Sequence, residues 1–265
     1  MSPSAPRLDA KGFLCGLSAA PRYTTDQRIE AHHRIAIELA KLGIAPKFHG
    51  YDTRSRIGPG VNIYGELPAT VQTFEWIVVG AHYDSVEGAP GADDDASGVT
   101  AVLMVAETLA NLKDRRVNVL FAFFDQEEYG AIGSDHFAEQ CRKEHRRIVA
   151  VHCIDMVGWD GDKDRVVELA LGTANPSPAQ NQMVQQYRRA AAGLVGSIMT
   201  SSMGRSDHVS FLEYDYPALL VAQEFAGGDS NPNYHRPSDT CDKIDYDYLR
   251  RVATLVTRVV TEQVR

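Results

Sequence analysis

The sequence predicts a three-layer α/β/α sandwich with a mixed, mostly parallel central sheet. Three observations predict it. Short apolar runs of strand type alternate with amphipathic helical patterns along most of the chain. The run at 117–124, VNVLFAFF, is a continuous apolar strand but for Asn118, the pattern of a strand buried on both faces. Acidic or imidazole residues stand directly after several of the apolar runs, at the sheet edge where open α/β folds bind ligands. The 265 residues suffice for one large domain with a full core. No repeat, low-complexity tract or linker divides them. A single domain over 1–265 is expected, with 1–60 an N-terminal helix and extended lead-in.

The elements follow in order. Residues 2–6 read as a loose tail. Thr24, Thr25 and Asp26 offer caps for a helix reaching Leu42, and Gly43 stops it. Ile29, His32, His33, Ala36, Ile37, Ala40 and Lys41 follow its amphipathic spacing. His32 and His33 point about 100° apart and form no metal pair, so they are surface or interface histidines. Residues 48–67 are extended, with an alternating strand at 61–67 ended by Pro68. The next strand, 76–81, is expected as its antiparallel neighbour at the sheet's edge. A helix over 99–112 is apolar on most sides and packs on the sheet. Strands at 117–124, 148–154, 166–171 and 217–223 follow. Helices begin near Gly133 and Ser134, and span 178–192 behind the cap Ser177, 206–212 and 245–264.

Composition narrows the function. The formal net charge is −8, which argues against a general nucleic-acid binder and an anionic membrane surface. Cys15, Cys141, Cys153 and Cys241 form no C-x-x-C pair, so a cysteine-only zinc site is not expected, and four thiols in a chain this long do not imply a disulfide framework. Cys153 reads as a small core residue. No stretch of about 18 apolar residues spans a membrane. No signal peptide is evident, so a cytoplasmic protein is the simplest reading, with a trimmed secreted form as the alternative. Nothing sets an oligomeric state.

The chemistry concentrates in the stretch 76–98, WIVVGAHYDSVEGAPGADDDASG. A strand delivers His82. A loop delivers Asp93, Asp94 and Asp95 just before a helix. Imidazole with carboxylate suits zinc, manganese or cobalt. The bland reading is a solvated acidic turn beside a structural histidine. Glu127 and Glu128, Asp155 and His235 stand after other strands or in a loop, which makes five ligand-type residues and one spare carboxylate. A two-metal centre needs about three protein ligands per ion with one carboxylate shared, so the spare glutamate is free to act as general base.

The segments GAHYDSV, PGADDDASG, FFDQEEYGAIGS, IDMVGW, SDHVSF and YHRPSDTCDKI, in this order, resemble the zinc aminopeptidase family. That family includes bacterial leucyl aminopeptidases, glutamate carboxypeptidase II and, more distantly, glutaminyl cyclases. The resemblance runs from about Asn62 to the C-terminus and implies a zinc-exopeptidase fold holding two Zn2+ ions. It implies that His82 and Asp155 bind one zinc, Glu128 and His235 the other, and Asp94 both. It makes Glu127 the general base, Tyr234 a donor to the oxyanion, and Asp84 the residue that orients His82. Asp93 and Asp95 are implied to be neighbours and not ligands. Arg205, Ser206, Asp207 and His208 border the implied substrate pocket; for Asp207 and His208 the structural alternative is a helix start capped by Ser206 and Asp207.

The implied activity is removal of the N-terminal residue from a peptide or amino-acid amide through a metal-bridging water. Alternatives on the same fold are a cyclase forming pyroglutamate with one zinc, and a carboxypeptidase anchored by Arg205 or Arg236. A non-catalytic binding module would have lost ligand residues, and every ligand position here carries a metal-binding type.

Overall fold

A computed structural model describes residues 8–53 and 57–265. The tail expected at 2–6 lies outside them. Eight strands form one sheet: β1 (Pro46–Tyr51), β2 (Gly60–Leu67), β3 (Glu75–His82), β4 (Asn118–Phe124), β5 (Arg147–Ile154), β6 (Val166–Ala170), β7 (Ser197–Ser201) and β8 (Ala218–Ala222). Their spatial order is β1-β2-β4-β3-β5-β8-β6-β7. The central strands β4, β3, β5 and β8 run parallel, and β1, β2 and β6 supply the antiparallel pairings. Among the described residues seven α-helices cover the faces: α1 (Ala10–Leu17), α2 (Thr25–Lys41), α3 (Ala96–Ala110), α4 (Ile132–Lys143), α5 (Pro178–Ala190), α6 (His208–Glu213) and α7 (Tyr246–Val264). Among the described residues, no helix is long and apolar enough to cross a membrane.

The layers follow from strand periodicity. Along β4, Val119, Phe121 and Phe123 enter the core under α1, α2, α3, α5 and α7. Leu120, Ala122 and Phe124 enter the opposite core under α4 and α6. All seven β4 residues are buried, as a near-continuous apolar run between two helical layers requires.

Four expectations differ from the structure. β2 does not pair with β3: β4 inserts between them, and β3 lies in the middle of the sheet. A short connection fixes nearness in sequence, not adjacency. The buried face of α2 is Arg28, Ala31, Ile35, Ala36 and Leu39, leaving Ile29 and Ile37 exposed. The expected stripe is displaced by one residue, about 100° around the helix. Helix α1 and edge strand β7 have no counterpart in the sequence reading. Finally, Cys15 and Cys241 form a disulfide across 226 residues, with Cα atoms 5.2 Å apart. It ties α1 to the segment before α7. Cys153 is buried in the core as read.

Candidate metal centre

The site lies at the carboxyl ends of three adjacent parallel strands. His82 is the last residue of β3. Asp155 directly follows β5. After β4 the chain makes a 3-10 turn, Glu127–Tyr129, that carries the glutamate pair. Asp94 comes from the loop before α3, and its peptide bond to Asp95 is cis. His235 arrives from the long loop between β8 and α7.

These residues form two groups that share Asp94. His82 Nε2 lies 3.2 Å from Asp94 Oδ1 and 3.5 Å from Asp155 Oδ1. His235 Nε2 lies 3.1 Å from Asp94 Oδ2 and 2.9 Å from Glu128 Oε2. Donors about 2.0–2.1 Å from a tetrahedral zinc lie about 3.3 Å from one another, so the observed spacings suit one ion per group. His82 Nε2, Asp94 Oδ2, Asp155 Oδ1 and Glu128 Oε1 are also buried without a hydrogen-bond partner. Buried polar atoms left unpaired are costly, and a cation in each group would satisfy them. The donor set therefore fits a two-ion centre.

The neighbouring carboxylates have other work. Asp84 Oδ1 lies 3.3 Å from His82 Nδ1 and accepts the Glu127 N–H at 3.0 Å, while Oδ2 accepts the Glu128 N–H at 3.2 Å. One buried carboxylate thus orients both the β3 imidazole and the glutamate turn. Asp93 accepts from Gly158 N, Gln223 Nε2 and Asn231 Nδ2. Asp95 caps α3 at Gly98 N and accepts from Met156 N. A Cβ on Gly98 would meet Asp95 Oδ1 at 2.4 Å and Ile154 O at 2.5 Å, so only glycine lets α3 start this close to β5.

Sequence reasoning missed two members of this frame. Asp239 accepts the N–H groups of Asp93 and Asp94 at 2.9 and 3.1 Å, which fixes the aspartate loop against the His235 loop. Its signal was present: it sits in YHRPSDT, four residues after His235. Arg22 is buried and donates to the carbonyls of Tyr83, Pro90 and Gly91. Its guanidinium sets a buried positive charge that interacts with Asp84, Asp94, Asp239 and Asp95. No local pattern marks it, because its partners are 61–69 residues away.

The electrostatics are those of a site short of positive charge. Burial opposes the His82 imidazolium, yet Asp155, Asp84 and Asp94 outweigh it and hold His82 well above its ordinary value. Hydrogen bonds to Asp94 and Glu128 raise His235 to about 10. Burial pushes Glu127 well above the usual carboxylate range, with Asp207 and Asp155 adding to it against His82. Cations here would displace those imidazole protons.

A cavity of about 190 Å³ opens onto the centre. It is lined by the polar Asp94, Glu127, Glu128, Asp155 and Tyr234 and by the apolar Met156, Met203, Leu220 and Phe225. Tyr234 is 45% exposed and stacks on His235 with ring centroids 3.8 Å apart. Arg205 and Ser206 also line this cavity. Ser206 Oγ donates to Asp155 Oδ2 at 2.8 Å.

Asp207 and His208 are buried behind that lining. The structure does not show the capped helix start: α6 begins at His208, and Asp207 makes no side-chain cap. Ser206 is drawn instead to the acidic centre. Burial raises Asp207 to about 7 and lowers His208 to about 4, and His208 Nε2 lies 3.2 Å from Met203 O. Arg236 is not among the residues lining the cavity.

Residues 62–260 match the model of Peptidase family M28. Aminopeptidase YwaD of Bacillus subtilis is 33% identical over 213 residues, which cover 77% of this chain and 45% of that protein. The chain spans about half the length of the curated relatives it matches. Among solved structures, an aminopeptidase from Aneurinibacillus superposes with a TM-score of 0.84 at 19% identity, covering 99% of this chain and 95% of that one. A zinc aminopeptidase from Bacillus subtilis gives 0.71 at 29% identity, covering 79% and 52%. A glutaminyl cyclase from Porphyromonas gingivalis gives 0.81 at 21%, covering 96% and 97%.

Proposed function

The chain belongs to peptidase family M28, and from that premise we propose that it is a two-zinc aminopeptidase. The observation that carries this reading is the pair of ligand groups sharing Asp94, with Glu127 free on the cavity they face. His82 and Asp155 would hold one ion, Glu128 and His235 the other, and Asp94 both. Bound there, zinc supplies a Lewis acid for the scissile carbonyl and a water made acidic enough to attack it near neutral pH.

The chain's own residues do the rest. Glu127 takes a proton from the attacking water and returns it to the leaving amine. Burial holds it above the usual carboxylate range, which favours its taking up the proton. Tyr234 donates a hydrogen bond to the developing oxyanion. Asp84 keeps His82 and the glutamate turn in register. Met156, Met203, Leu220 and Phe225 receive an apolar N-terminal side chain. Manganese or cobalt suits the same ligands.

The cyclase shares the fold at low identity, which separates nothing by itself. The complete second ligand group favours the hydrolase. The Cys15–Cys241 disulfide supports an oxidising compartment, so we propose the secreted alternative over a cytoplasmic one.

A panel of aminoacyl-p-nitroanilides tests the activity, beside an N-acetylated control, in zinc-loaded and chelator-stripped protein. Cleavage of free-amine leucyl and methionyl substrates, lost on chelation and absent for the blocked control, is expected. Cyclisation of glutaminyl peptides with no cleavage of the panel would overturn the reading.

A further inference from the structure

Two cavities meet at Glu127. The first is the apolar one assigned above to the N-terminal side chain. The second, of about 450 Å³, is lined by Glu127, Ile132, Asp135, Arg205 and Glu213, among others. Glu127, Arg205 and Ser206 line both.

Arg205 is exposed. Among the described residues its guanidinium makes no hydrogen bond or ion pair, unlike the buried Arg22 and Arg28, which are fully engaged. Its backbone is held in place because the next residue, Ser206, is bonded to Asp155. A free cation thus stands on the lining that the two cavities share with Glu127.

Resting on the aminopeptidase reading, we propose that the second cavity receives the residue after the scissile bond and that Arg205 pairs with its α-carboxylate. The preferred substrates are then dipeptides with an apolar first residue. In a dipeptide the carboxylate lies one Cα beyond the leaving nitrogen, which is the reach of an arginine at the cavity's mouth. A longer peptide puts a neutral amide there and loses a charge-assisted, two-pronged hydrogen bond. Asp135 and Glu213 line the same cavity, so an acidic side chain on the second residue is disfavoured and the carboxylate stays at the Arg205 rim.

The test compares Leu-Gly with Leu-Gly-NH2 on zinc-loaded wild type, Arg205→Gln and Arg205→Lys. The wild type should favour the free acid by about tenfold in kcat/KM, the size of one charged hydrogen bond, with the difference in KM. Arg205→Gln should abolish that preference, and Arg205→Lys should restore part of it. A second readout needs no turnover: calorimetric binding of the reduced-bond analogue Leuψ[CH2NH]Gly, as acid and as amide, should show the same ratio. Equal cleavage and equal binding of acid and amide by the wild type would overturn this inference and leave the aminopeptidase intact. A preference that survives Arg205→Gln would overturn it too. Cleavage of neither peptide by metal-loaded wild type would overturn both.

Discussion

His82 and His235 present the same nitrogen to the shared Asp94 from opposite surroundings. The His82 side chain is 1% exposed and the His235 side chain 38%. His82 stands on a central strand, with Asp155 just past the end of the neighbouring strand and Asp84 behind it. His235 stands on a loop, beside exposed Tyr234. The strand-borne half is set by the sheet itself. The loop-borne half is set by a few long-range ties: Asp239 to the aspartate loop, Asn231 to Asp93, and the Cys15–Cys241 disulfide. One half is built to hold, and the other leaves room for a substrate to reach the centre.

The largest expected effect falls between the halves. Glu127→Gln should lower turnover by about 10²–10⁴-fold while both ions stay bound, since Glu127 belongs to neither ligand group. Steady-state kinetics with metal analysis on the same sample checks this. Normal turnover would remove Glu127 from the mechanism.

Next is the disulfide. Replacing Cys15 and Cys241 together by serine should cost about 2–4 kcal/mol in urea unfolding. Because Cys241 lies six residues after His235, the loop-borne ion should weaken before the strand-borne one. Equal weakening of both would erase the distinction between the halves.

pH probes the strand-borne side. His152, on β5, is fully buried between the Tyr187 hydroxyl at 2.9 Å and Gln263 Oε1 at 2.8 Å. Burial lowers it to about 4 from 6.5. The unfolded chain therefore binds a proton near pH 6.5 that the native state refuses until about 4. Stability is complete above 6.5 and falls as pH drops toward 4, by about 3 kcal/mol over that window. Unfolding of wild type and His152→Gln at pH 7 and pH 4.5 should show the steeper fall in the wild type.

The smallest effect is at Asp84. Asp84→Ala should weaken zinc binding by about 10–100-fold, the usual scale for a residue that orients a ligand. The loss should fall mostly on the His82 ion, which competition with a chelator can resolve.

The same contrast explains what the sequence revealed. Apolar runs and the residues that end them are local, so β3, β4 and β5 and the groups at their ends were legible. The near-continuous apolar run of β4 announced two layers. Sheet order was not legible, because β4 enters between β2 and β3 only after α3 has crossed over. The ties of the loop-borne half join residues far apart: Arg22 to the Tyr83–Gly91 turn, Asp239 to Asp93, Cys15 to Cys241. No periodicity records such pairs. The face of α2 failed for a related reason. Ile29 and Ile37 fit an apolar stripe as well as Ile35 and Leu39 do, and only the sheet beneath selects between them.

A two-zinc centre here requires Asp94 to serve two ions at once. Crystals soaked in zinc, with anomalous diffraction collected at the zinc edge, test that directly. Two peaks are predicted, one between His82 and Asp155 and one between Glu128 and His235, both within bonding distance of Asp94. A single peak under saturating zinc, or two peaks of which one lacks Asp94, would contradict the shared centre.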